Sequence, residues 1–596
     1  VDSWRAGELD AATVKRTNIV IHGLAALLLF FFLRSLLLAL YERGEYGRQG
    51  AWRGCLVLGD TKTAELLALA AALFWLVHPL QVSTVLYAVQ RMAQLSALFV
   101  FAGLYYFTAR RRLWVQRGAS LGELLTAVLW MGLITLLAVL SKENGALLPW
   151  LVLVVEVCIF RGRWAGRDNA LLARLSWLLL VLPLLLAALL WLFAPELINA
   201  GYASRDFTLQ ERLLTEGRIL WISLSWLLLP SVGARGSHHD DIMVSTSLLA
   251  PPWPLLAWLG WTGLLVLAWR LRQQQPLLLF AVLFFLVGHS MESGFLPLEM
   301  AFEHRNYLPA AGLGMGLAAL LSALLQVPER AVGKVAAGVC VILYCFLLGL
   351  TFIRVTTWQD EVRMAQVGAF NHPASVRAHA QYAKILLERA ENASGTVHYS
   401  LEARTQMLAQ ARQHYELMYD INPQDFGAMV MMYQLDSRYV DEPGLADGWL
   451  AQILEVLPGH KMSASDASAL GVLLNCLGKG VCRAPAGTAE QIMALLNQRY
   501  PHSARFMLLY YQYLLARSAD SDERLAYLQQ AHTRAPGSAA LVSWLMSEQA
   551  ERGNIAQVLA LARQTMVMDP ERRSIGKLQK LFMSAGAESK GEGAEP

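Results

Sequence analysis

Four ionisable residues, Glu299, Glu303, His304 and Arg305, fall within the stretch LEMAFEHRNYLP (298–309), between two apolar runs. Charged side chains beside lipid are costly, so they usually face protein or water and mark a pathway or a site. A carboxylate placed there can take a proton from a hydroxyl as a general base. An arginine can neutralise a phosphate or diphosphate through paired hydrogen bonds. Together these groups could move a substituent from a phosphate-bearing lipid to a hydroxyl acceptor.

Similar residue types recur in HPLQVSTVLYAVQRM (78–92), SKENG (141–145), YASRDFTLQERLLTEGR (202–218) and SHHDDI (237–242). Glu303 and Glu143 are the candidate catalytic carboxylates. Arg91, Lys142, Arg205, His304 and Arg305 are the candidate phosphate-binding groups, and His78, Asp206, Arg212, Asp240 and Asp241 complete the set. For any one loop the plainer reading is a solvated or snorkelling charge. Lys142 and Glu143 could pair with each other. Arg205 and Asp206 precede an amphipathic segment that is either a mobile lid or a helix with a capped turn. In SHHDD, adjacent residues point in different directions, so His238, His239, Asp240 and Asp241 do not readily converge on one ion, and no metal ligand is assigned.

The elements that must position these loops are apolar. The chain has 596 residues, 55% hydrophobic and 16% charged, with a mean hydropathy of +0.38. That is too apolar for one soluble globule and too long for a membrane bundle alone. Residues 1–355 carry the long Leu/Ala/Val/Trp runs, while 356–596 read as soluble helical sequence. The reading is all-α: a polytopic bundle over 1–355, a soluble domain over 356–585 and a disordered tail over 586–596. The net charge of +4 marks no nucleic-acid patch.

A spanning helix needs ~20 apolar residues. Candidates lie near 18–41, 90–109, 121–140, 173–194, 306–325 and 335–354, with shorter ones near 64–77, 146–160, 255–270 and 276–291. That makes ten; 218–230 reads as interfacial or re-entrant. One set of alternate loops holds sixteen Lys and Arg residues and the other seven, which puts the first set in the cytoplasm. All five polar loops and the C-terminal domain then share the outer side.

Proline recurs at 373, 423, 458, 501, 536 and 570. A period near 34 with two helices per unit is the tetratricopeptide signature, and stacking such units gives an α-solenoid with a concave groove. Cys476 and Cys482 in CLGKGVC bracket an insertion. They form either a loop disulfide, as an oxidising compartment permits, or two free thiols.

The motifs LSKENGALLP, YASRDFTLQERLLTEGRIL and AFEHRNYLPAAGLG, with the HP…QRM loop and the repeats, resemble the transmembrane-plus-tetratricopeptide glycosyltransferases of the GT-C superfamily. The bacterial inner-membrane branch is the nearer likeness; the eukaryotic protein O-mannosyltransferases of this architecture are more distant. The resemblance implies transfer of a sugar from a polyprenyl-phosphate donor to an acceptor such as a protein hydroxyl, on the periplasmic face. The repeats would hold the acceptor or a partner. It leaves a divalent metal, magnesium or manganese, open. The family's principal acidic residue lies in a first outer loop, expected ahead of these 596 residues. Eukaryotic members tend to carry Glu in the HP loop where this chain has Ser83, a departure that leaves the sugar unassigned. The rival readings are a surface-polysaccharide polymerase or ligase, and a non-catalytic membrane scaffold.

Overall fold

The computed structural model describes residues 11–42, 60–199, 201–202, 205–231, 236, 238–325, 330–391, 398–440, 442 and 444–568. The expected tail over 586–596 lies outside the described residues, as does Pro570. The fold is all-α; the one sheet among the described residues is a two-residue antiparallel ladder pairing Arg163 with Asp168 and Trp164 with Arg167. The chain divides into two compact units, Val1–Ala378 and His379–Pro596. The first therefore continues past the end of the apolar sequence at 355.

The first unit opens with α1 (Ala11–Glu42), α2 (Thr61–Val77), α3 (Arg91–Arg117), α4 (Leu121–Ser141) and α5 (Leu148–Val155). A 3-10 turn (Glu143–Leu147) leads into α5 and a π turn (Glu156–Phe160) follows it. Then come α6 (Ala170–Phe193), α7 (Leu209–Leu228), α8 (Trp253–Arg270), α9 (Pro276–His289), α10 (Ala310–Leu325), α11 (Arg330–Thr357), α12 (Glu361–Asn371) and α13 (Val376–Ala390), within which the division falls.

Six helical stretches are long and apolar enough to cross a membrane: Ala11–Glu42, Ala88–Arg117, Leu121–Ser141, Glu143–Phe160, Ala170–Phe193 and Ala337–Thr357. The remaining apolar candidates are α2 with 17 residues, α8 with 18, α9 with 14 and α10 with 16, none of which is among those six. On α4 and α6, Leu121, Leu129, Leu140, Leu171, Leu184 and Phe193 stand exposed. In water each would cost roughly 25 cal/mol per Å² of apolar surface; against lipid tails it costs nothing. This is a membrane protein.

Helix α1 packs on α2 and α3, α3 on α4, α10 on α9 and α2, and α7 on α8. Near the top of that core, buried Trp75 donates from Nε1 to the Tyr307 carbonyl at 2.7 Å. His22 Nδ1 lies 2.7 Å from the Tyr307 hydroxyl. These two contacts tie the 298–309 loop to α1 and α2. The SKENG turn is fixed differently: a Cβ at Gly145 would stand 2.2 Å from the backbone of Ala138, so only glycine lets the chain fold back so closely.

The second unit contains α14 (Leu401–Ile421), α15 (Phe426–Tyr439), α16 (Leu445–Val456), α17 (Ala464–Gly478), α18 (Thr488–Arg499), α19 (Ala504–Ala516), α20 (Ser521–Arg534), α21 (Ala539–Glu551) and α22 (Ile555–Met568). Each packs on near neighbours in sequence: α14 on α15, α15 on α16 and α17, α17 on α19, α19 on α20, α20 on α21, α21 on α22. Cys476 and Cys482 are joined by a disulfide.

Four of the recurring prolines, Pro373, Pro423, Pro501 and Pro536, share a local structure. At 372–375, 422–425, 500–503 and 535–538 the chain reads X-Pro-X-Ser or X-Pro-X-Asp. In each, the fourth residue's N–H donates to the first residue's carbonyl: Ser375 to His372 (3.0 Å), Asp425 to Asn422 (2.9 Å), Ser503 to Tyr500 (3.1 Å) and Ser538 to Ala535 (3.2 Å). Ser375, Asp425 and Ser538 then cap the next helix through their side chains. Proline fixes the turn's φ, and the fourth residue starts the helix.

Candidate functional site

The five polar loops meet at one end of the first unit, and α7 is the element around which three of them gather. Thr208 and Glu211 form a capping box at its start. The 202–218 segment is thus a capped helix start rather than a free lid.

One turn into α7, Arg212 is wholly buried and organises the 292–299 loop. Its Nε donates to Gly294 O at 3.0 Å, Nη1 to Leu298 O at 2.5 Å and Nη2 to Glu292 O at 2.5 Å. It also lies 2.8 Å from the Glu216 carboxylate one turn on. Burial pushes the Glu216 carboxyl up and the Arg212 guanidinium down, yet a guanidinium remains charged at any relevant pH.

The SKENG turn reaches the same loop. Lys142 Nζ donates to Glu292 Oε1 at 2.6 Å, both side chains buried. Lys142 therefore pairs with Glu292 and not with Glu143, which is exposed at the start of the 3-10 turn. Burial alone would raise the Glu292 carboxyl, but Lys142 and Arg305 outweigh it and hold the group below its ordinary value.

Arg305 is buried, donates from Nη1 to Met300 O at 2.9 Å, and sits 5.3 Å over the Phe302 ring. Its charge is coupled to Glu292 and Glu216. His304 stacks on the other side chain of that turn, with ring centroids 5.1 Å from Phe302. Burial, with Lys142 adding to it, lowers its pKa to about 4, so His304 is neutral at pH 7. Four buried cations, Lys142, Arg212, Arg305 and Arg354, therefore stand against three buried carboxylates, Glu216, Glu292 and Glu303, around this loop among the described residues.

Beside this lies a more open cluster. Arg205 donates from Nε to Pro297 O at 2.8 Å and from Nη1 to Glu299 Oε1 at 2.7 Å, and Arg377 lies 3.1 Å from Glu299 Oε2. Asp206 is exposed. Glu303 is buried and ion-paired with Arg354 of α11. Its other oxygen lies 3.9 Å from His239 Nε2.

The remaining candidates are scaffold contacts. His78 ends α2, bonding Leu227 O through Nε2 at 3.0 Å and accepting from Leu80 N at Nδ1, which fixes its tautomer. Arg91 opens α3 and donates to Asn18 Oδ1 at 2.8 Å and Val14 O at 3.2 Å. Asp240 accepts from Ser375 Oγ at 2.5 Å and from the Arg377 N–H at 3.1 Å, supplementing the cap of α13. Asp241 Oδ2 lies 2.9 Å from His372 Nδ1.

The structure thus brings Lys142, Arg205, Arg212, His304 and Arg305 to one loop, 292–305, while His78 and Arg91 serve α2, α3 and α1. Sequence reasoning missed Glu216, Glu292, Arg354, His372 and Arg377 as members of this assembly. Glu216 carried a usable signal, standing four residues after Arg212 on one helix face. Arg354 and His372 carried none, since their partners lie far away in sequence.

No model of a known protein family matches the chain. No curated protein matches it either.

Proposed function

We propose that this chain is a ten-span GT-C-type glycosyltransferase that takes a sugar from a polyprenyl-phosphate donor at the periplasmic face of a bacterial inner membrane. The supporting observation is the imbalance around the 292–305 loop, where four buried cations stand against three buried carboxylates. An unbalanced buried positive charge is costly, and a phosphate or diphosphate entering from the lipid would relieve it. Arg305 has backbone contact through Nη1 only, so it is the group read here as the phosphate ligand; Arg212 is spent on backbone carbonyls and positions the loop. Glu143, being exposed, is better placed than the Arg354-paired Glu303 to meet an acceptor hydroxyl. The proline-turn helices of the second unit are read as tetratricopeptide-like repeats that hold a protein acceptor or partner.

The test compares glycans on envelope proteins from cells carrying the wild-type protein, Arg305→Ala or Glu143→Gln, at equal membrane levels. Loss of one glycan class in Arg305→Ala supports the reading. Unchanged glycans in both variants reject it and favour the scaffold reading, for which the mutual pairing of Lys142 with Glu292 is the specific support.

A further inference from the structure

The 238–242 loop and the first proline turn meet through His239, Asp241 and His372, whose potential ligand atoms all lie within 4.8 Å of one another. Two separate chain segments supply them, which is why the spacing within SHHDD does not reveal the set. Asp241 Oδ2 and His372 Nδ1 are 2.9 Å apart. Two ligands at right angles on one ion are separated by about 3 Å when each lies ~2.0–2.2 Å from it. The imidazoles of His239 and His372 meet edge to face with centroids 4.8 Å apart.

Hydrogen bonding gives a second, independent observation. His239 Nε2 is buried with no hydrogen-bond partner. A buried polar atom left so costs roughly 1–3 kcal/mol. Gly236 closes the opposite edge of the His372 ring: a Cβ there would stand 2.8 Å from His372 Cδ2 and 3.2 Å from its Nε2, so glycine leaves the ring free to turn Nδ1 to Asp241. The Glu303 carboxylate lies 3.9 Å from His239 Nε2, with Arg354 beyond it.

We propose that His239, Asp241 and His372 bind a divalent transition-metal ion of the zinc or manganese type, which pins the 238–242 loop to the turn that starts α13. Two imidazoles and one carboxylate suit such ions better than magnesium or calcium, which prefer all-oxygen sets. The ion takes the free lone pair of His239 Nε2, is held by His372 Nδ1 and uses the carboxylate charge of Asp241, and Glu303 faces it as an outer neighbour. This inference stands apart from the sugar-transfer reading, since the site needs no donor lipid.

The experiment uses the tag-free full chain in nanodiscs, stripped with a chelator and titrated with Co²⁺, followed by Zn²⁺ competition. The expected result is a visible d–d absorption band saturating near one ion per chain and displaced by Zn²⁺. Asp241→Asn should weaken binding by more than the roughly 10–100-fold that loss of an outer-shell partner costs, and His239→Ala with His372→Ala should abolish it. Gly236→Ala, which leaves the ligands in place but crowds His372, should weaken it as well. Helix content by circular dichroism separates lost binding from failed folding. No saturable band in the wild type overturns the proposal, as does a band that persists in the double-histidine variant.

Discussion

Lys142 Nζ and Glu292 Oε1, 150 residues apart in the chain, meet at 2.6 Å with both side chains buried. Removing one partner leaves the other as an uncompensated buried charge. Lys142→Ala should therefore destabilise the membrane unit by roughly 3–5 kcal/mol. Lys142→Ala combined with Glu292→Gln should recover much of that loss. Thermal unfolding of the single and double variants in one detergent checks this; equal losses in both would show that the pairing is energetically idle.

Arg212 replaces the turn hydrogen bonds that the 292–299 loop cannot make for itself. Arg212→Lys keeps the charge but cannot reach three carbonyls with a planar fork. Backbone amide exchange in 292–299 should rise by an order of magnitude or more, while exchange in α1–α3 stays as it was. Unchanged protection of the loop would mean that other contacts hold it.

Glu299 gives a pH dependence with a defined sign. Burial alone would raise its carboxyl, but Arg377 and Arg205 outweigh burial and hold it below the ordinary value. A depressed folded-state pKa contributes stability that is present above the unfolded value and lost as pH falls through the folded one. The stability gap between wild type and Glu299→Gln should therefore be widest near neutrality and shrink as pH drops below about 4.3. A gap that widens in acid would contradict the ion-pair assignment.

The Cys476–Cys482 disulfide closes a short loop, with a sequence separation of six. Its loss by Cys476→Ser with Cys482→Ser should cost about 2 kcal/mol on loop-entropy grounds. Unfolding of the second unit with and without reductant measures it. No effect of reductant on the wild type would mean that the thiols are free in the purified protein.

Periodicity and charge exposed much of this molecule in advance. The apolar runs became helices because nothing else satisfies a backbone in lipid, and the X-Pro-X-Ser/Asp turns recur because proline and a capping residue fix them locally. The loop clusters were legible as polar islands between spans. Their pairing was not: Lys142 finds Glu292, Glu303 finds Arg354 and Asp241 finds His372 only after the helices pack. Local rules also misplaced the limit of the first unit. Hydropathy changes at 355, but the unit extends to Ala378 because α12 and the turn after it dock on the polar loops through Asp240, Asp241 and Glu299.

That docking has a practical corollary for anyone dividing the protein into pieces. A cut at the hydropathy step would strip His372, Ser375 and Arg377 from Asp241, Asp240 and Glu299 in a single stroke. The lipid-embedded fragment would keep its full hydrophobic bulk and still lose the partners of its 238–242 and 292–299 loops, so any cut belongs well beyond residue 378.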